Sequence, residues 1–172
     1  QYREPQAIIK TSRGQTCYVG LPGPSDPLCG DNPDEVNTVF VLDYMEIKKP
    51  PLIAIKGFAD SMAPAAGKTW FASDVAAALK LIAALRAMDE KVSTEKPLSE
   101  EISEIDISNF NGKLSRTSPH IVLKLKDGKT QVNWGAAMGQ STRYLEASDI
   151  EKLTTLYTFY REHKNTLQNI VS

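Results

Sequence analysis

The chain has 172 residues, 41% of them hydrophobic, 24% charged and 8% aromatic. That length fits one domain of roughly 150 residues, large enough to fold without a metal or disulfide staple. Twenty Lys and Arg against twenty-one Asp and Glu leave a net charge of -1, which excludes a basic nucleic-acid binder and an acidic disordered tail.

From the N-terminus, Ala7–Lys10 and Thr16–Val19 read as short strands around the turn Ser12-Arg13-Gly14. The Pro- and Gly-rich stretch Gly20–Pro33 is a loop, and Thr38–Leu42 is a β-branched run suited to a buried strand. Pro50-Pro51 interrupts regular structure before the short apolar run Leu52–Ile55, and Ala59–Lys68 reads as a second loop. Ser73 is an N-cap for a helix reaching Met88, with Asp74 complementing its dipole. Val75, Leu79, Ile82 and Leu85 fall on one face of it. Ile105 and Ile107 alternate with polar residues as in a half-buried strand, and Asn111-Gly112 makes the next turn.

Ile121, Leu123 and Leu125 alternate, Asp127-Gly128 suits a two-residue hairpin loop, and Thr130, Val132 and Trp134 alternate on the return. This hairpin is expected to lie centrally in the sheet. Ser148 with Glu151 three residues on opens a second helix reaching Lys164, with Leu153, Leu156, Tyr157 and Tyr160 on its inner face. On that reading Leu156→Ala costs about 2–5 kcal/mol. The element order predicts an α+β domain: a largely antiparallel sheet with the two main helices packed on one face.

No stretch reaches the roughly 18 consecutive apolar residues of a membrane span; the longest candidate, Val75–Met88, is broken by Lys80 and Arg86. Because the first residue is Gln1, the chain is expected to be a fragment or processed product whose leader or anchor has been removed. Cys17 and Cys29 are the two cysteines, and both fall in or beside the Pro/Gly-rich stretch. Their even count favours a disulfide in an oxidising compartment, closing a loop of about a dozen residues worth ~3 kcal/mol. Two unpaired thiols in a loop are the alternative.

Few residues nominate chemistry. Gly67-Lys68-Thr69 resembles the end of a phosphate-binding loop, but Met62 stands where its first glycine belongs. His120 and His163 lack metal-ligand spacing; the first suits a strand start and the second a helix C-terminus. Glu100, Glu101, Glu104 and Asp106 read as a solvated edge rather than a catalytic carboxylate pair. Gly139-Gln140-Ser141 lacks the second glycine of a nucleophile elbow, since Arg143 follows. Tyr144, Tyr157, Tyr160 and Trp134 include residue types favoured as interface anchors, but most of them read as core. The sequence therefore nominates no catalytic residue, metal ligand or cofactor.

Several segments, in order, resemble the extracytoplasmic β domain of the FtsQ/DivIB family of bacterial cell-division proteins. Arg3-Glu4-Pro5-Gln6-Ala7-Ile8 is similar to that family's junction where the β domain begins. Pro51-Leu52-Ile53 with Lys56-Gly57 resembles the step before its first helix, and Ile102–Ile107 the strand after it. Ile121–Leu125, Asp127-Gly128, Val132 and Trp134-Gly135 resemble its hairpin, and Lys152-Leu153 with Leu156 its following helix. The Gly20–Pro33 loop has no counterpart. The family's N-terminal anchor, small domain and last strands are also missing from residues 1–172.

The resemblance implies a non-enzymatic scaffold on the periplasmic side of the cytoplasmic membrane, held by a single-span anchor outside this chain. Its implied partners are FtsB- and FtsL-like coiled-coil proteins, recruited for septum assembly partly by strand addition. The family's contact residues lie largely beyond Ser172, so none is carried over. Two other readings stand beside it: an extracytoplasmic ligand-binding module using the loops Gly20–Pro33 and Ala59–Lys68, and a hydrolase with dispersed catalytic residues.

Overall fold

A computed structural model describes residues 5–10, 16–22, 38–42, 53–58, 67–92, 96–163 and 166–167. Its eight strands are β1 (Ala7–Lys10), β2 (Thr16–Gly20), β3 (Thr38–Leu42), β4 (Ala54–Lys56), β5 (Thr69–Phe71), β6 (Ile102–Asp106), β7 (Ile121–Leu125) and β8 (Gln131–Gly135). Two helices, α1 (Ser73–Val92) and α2 (Asp149–Glu162), accompany them. All the strands join one sheet in the order β5-β3-β2-β1-β4-β6-β7-β8. β4 runs parallel to β1 and β6, and the remaining pairings are antiparallel. The fold is α+β.

Alternation decides which side chains meet the helices. Ile9, Val19, Val41, Ile55, Ile105 and Leu123 point to one face and join a single core with Val75, Leu79, Ile82 and Leu85 of α1. Leu153, Tyr157 and Tyr160 of α2 enter the same core. The Tyr157 hydroxyl reaches the Leu85 carbonyl at 2.7 Å, so both helices cover the same face. On the other face Tyr18 and Phe40 are buried as well.

α1 runs to Val92, one turn beyond Met88, and Asp89 then caps the 3-10 turn Leu98–Glu101 through the N–H groups of Leu98 and Ser99. Ser148 caps α2 by accepting the Glu151 N–H at 3.2 Å. His163 ends that helix, its Nδ1 lying 2.8 Å from the Phe159 carbonyl oxygen.

The structure corrects four expectations. The β7–β8 hairpin is not central: β8 is the sheet's last strand. Its turn is longer than two residues, because the Leu125 N–H donates to the Thr130 carbonyl and four residues loop between them. Gly128 takes a φ of 72° there, while Asp127 instead accepts the Lys129 and Thr130 N–H groups. Leu156 is half-buried rather than core, because α2 rests on Leu153, Tyr157 and Tyr160 and turns Leu156 toward the sheet edge. Glu101 is not at a solvated edge; it is fully buried.

Cys17 is buried on β2, and Cys29 lies outside the described residues, as do most of the loops Gly20–Pro33 and Ala59–Lys68. Strand β5 was not foreseen.

Candidate functional site

Two hollows meet at the β8 edge. The first is a groove of about 440 Å³ between β8 and α2. Val132 and Trp134 of β8 line one side, Thr155, Leu156 and Phe159 of α2 the other, and Leu167 also lines it. Leu167 is fixed there because its N–H donates to the buried Glu101 carboxylate at 2.6 Å. Among the described residues β8 has β7 as its one strand neighbour. With the Thr130 carbonyl taken by Leu125, antiparallel alternation turns the N–H and C=O groups of Gln131 and Asn133 away from β7. Among the described residues, then, the edge has main-chain groups turned outward beside an apolar trough.

The second hollow, about 490 Å³, lies at the Trp134 end and shares Asn133, Trp134, Ala147 and Lys152 with the groove. Four segments build it: Arg116–His120 before β7, the end of β8, the Tyr144–Ala147 turn before α2, and Lys152 of α2 itself. Asn109 folds the first segment. Its Oδ1 accepts the Leu114 and Ser115 N–H groups, and its Nδ2 donates to the Ser118 and Pro119 carbonyls. Gly135 makes room for Glu146: its φ is +106°, and an added Cβ would stand 2.6 Å from Glu146 Oε1.

Glu146 accepts the Ala136 N–H at 3.0 Å and pairs with the Lys152 ammonium, which also lies 5.2 Å from the centre of the Trp134 ring. Burial alone would raise the Glu146 carboxyl; Lys152, the Ala136 N–H and the charge of His120 outweigh it and hold the carboxyl below its ordinary value. It is therefore an ionised wall group with its partners in place, poorly suited to take up a proton. His120 stands edge-on to Tyr144, ring centres 4.5 Å apart, and Arg143 lies over the Tyr144 ring. Among the described residues the buried Trp134 Nε1–H and His120 Nδ1 have no hydrogen-bond partner, a deficit of about 1–3 kcal/mol each.

Of the residues weighed from sequence, Trp134, Tyr144 and His120 converge here, with Leu156 in the adjoining groove. Tyr157 and Tyr160 go to the core. Glu104 and Asp106 instead flank Lys124 at 3.4 and 3.6 Å on the sheet. Gly67 donates its N–H to the Val41 carbonyl, so that N–H is committed to the fold rather than to a phosphate. Sequence reasoning missed Glu146, Lys152 and Arg116 as wall groups, because nothing in their spacing tells that a turn will bring them to one strand end. Among the described residues no group of three or more His, Cys, Asp or Glu could hold a metal, and no helix is long and apolar enough to cross a membrane. No family model, curated protein or solved structure matches the chain.

Proposed function

We propose that the chain is a non-enzymatic docking domain of a bacterial cell-division scaffold of FtsQ/DivIB type, acting outside the cytoplasmic membrane through an anchor beyond this chain. Its partners are FtsB- or FtsL-like coiled-coil membrane proteins, which contribute an extended segment alongside β8. The observation that carries the reading is the pairing of an edge strand with an apolar groove. Strand addition requires both features: free main-chain groups for affinity and a trough that takes alternate side chains for register. Natural proteins usually blunt or cover such an edge, because it templates pairing with other chains. Here α2 leaves Leu156 half-buried and Phe159 exposed along the trough.

The test is binding of FtsB- and FtsL-like ectodomains from the same organism to the wild-type chain and to Leu156→Glu and Phe159→Glu. Leu156 is half-buried and Phe159 exposed, so melting curves of both variants are compared with the wild type before binding is scored. The proposal expects wild-type binding that each variant weakens strongly. No wild-type binding would remove the scaffold reading, and undiminished binding by both variants would move the contact away from the groove.

A further inference from the structure

Helix α2 carries the chain from one end of the β8 groove back to the other. Lys152, in its first turn, lies 5.2 Å from the centre of the Trp134 ring, near the end of β8. Glu101 joins two segments at the opposite end. Its carbonyl accepts the Lys126 N–H of the β7–β8 turn, and its carboxylate accepts the Leu167 N–H at 2.6 Å. Leu167 is 2% exposed and lines the groove with Val132, Leu156 and Phe159. From that anchored position the chain runs on through Gln168-Asn169-Ile170-Val171-Ser172, five residues beyond those described.

We infer that residues 168–172 are the occupant of the groove in the free chain, extended alongside β8 and parallel to it. Five extended residues span about 16 Å, which matches the five residues of β8. A segment that leaves Leu167 and follows the trough heads from Gln131 toward Gly135, the direction of β8 itself. Parallel neighbours need a long crossover, usually helical, and α2 supplies one. Side chains alternate with a period of two, and Ile170 and Val171 are adjacent, so either register turns one of them into the trough. Anchorage at Leu167 holds the segment beside the groove at an effective concentration on the order of millimolar, above that of a second copy in dilute solution. The outward main-chain groups of Gln131 and Asn133 then find partners within the chain, one of the ways in which native sheets cover an edge. This occupancy does not rest on the docking reading. One consequence does: a partner's segment reaches β8 only by displacing residues 168–172.

Amide hydrogen exchange on the isolated chain tests the occupancy with no partner present. The wild type is compared with a chain ending at Leu167 and with the double variant Ile170→Asp, Val171→Asp, which keeps the full length. Both retain Glu101 and Leu167. The Gln131 and Asn133 amides should be protected in the wild type and exchange at least about tenfold faster in both variants, while the Val132 amide, turned toward β7, is unchanged. Equal exchange of Gln131 and Asn133 in the wild type and the shortened chain would overturn the inference. Protection that disappears when the wild type is diluted would also overturn it, because the occupant would then be a second copy. FtsB- or FtsL-like ectodomains should bind the shortened chain more tightly by the same factor as the gain in exchange. Failure of both chains to bind them counts against the docking reading alone.

Discussion

The Tyr157 hydroxyl on α2 lies 2.7 Å from the Asp89 carboxylate near the end of α1. The same hydroxyl is 2.7 Å from the Leu85 carbonyl, so one buried proton is shared between two acceptors of the neighbouring helix. Asp89 in turn holds the Leu98 and Ser99 N–H groups. One side chain therefore ties α1, the 3-10 turn and α2 together. Tyr157→Phe removes that proton and with it a buried hydrogen bond to a carboxylate, costing about 1–3 kcal/mol. A drop in the urea midpoint at constant slope checks it; a loss under about half a kcal/mol would show the link to be idle.

The same tyrosines set an alkaline limit. Burial, with the charges of Glu101, Asp89 and Glu100, pushes Tyr160 up to about 12, and burial with Asp89 raises Tyr157 further. A folded-state value above the unfolded 10.0 means stability fully present below pH 10 and lost as pH climbs toward the folded value. On the acid side Glu146 and Asp106 are held below 4.5 and 3.8, so their contribution is present above those values and fades as pH falls below them. Melting temperature against pH should be flat between these limbs. Tyr160→Phe should make the alkaline limb shallower, and an unchanged slope would refute the assignment.

Leu156→Ala is expected to cost about 1 kcal/mol, below the 2–5 of a closed core position, because Leu156 faces the groove. Leu153→Ala, at 8% exposure, should fall in the larger range. Denaturation curves of the two variants decide the order; a reversal would mean that α2 is rotated about its axis.

Gly57 and Gly128 both have positive φ, at 83° and 72°, yet differ in their surroundings. A Cβ on Gly57 would stand 2.7 Å from the Ser108 backbone nitrogen, whereas Gly128 has nothing within 4 Å. Gly128→Ala should cost about 1–2 kcal/mol for the left-handed backbone alone. Gly57→Ala should cost clearly more, because strand β4 would have to move away from the residues after β6. Equal losses in thermal melts would refute the close approach.

Local grammar made most of the fold legible. The Val75–Leu85 stripe, the Ser148 cap and the alternation in Ile121–Leu125 each follow from neighbours three, four or two residues apart, and each survives in the structure. Non-local relations were hidden. Glu101 looks like one more acid in a charged run, and only folding brings Leu167 to it. The hairpin's place at the edge depends on β4 entering parallel between β1 and β6, which no local pattern encodes. The candidate site was half legible. Trp134 drew notice as an aromatic and His120 as a histidine, but their wall partners come from a separate turn and from α2.

Glu101 carries the remaining prediction. Its side chain is fully buried, yet it accepts the Leu167 N–H at 2.6 Å, the Thr166 hydroxyl at 3.2 Å and the Lys96 ammonium at 3.2 Å. Such a carboxylate is tolerated inside only because donors surround it. Glu101→Gln keeps the shape but turns an amide N–H₂ toward one of those donors and removes the charge. Hydrogen bonds to a charged group contribute about 1.5–3 kcal/mol, so a stability loss of that size is expected. The specific consequence is local: Leu167 should release from the groove it lines, and its amide should exchange with solvent much faster than in the wild type while the β7 amides keep their protection. If Leu167 exchange is unchanged, the carboxylate is not what holds Leu167 in place.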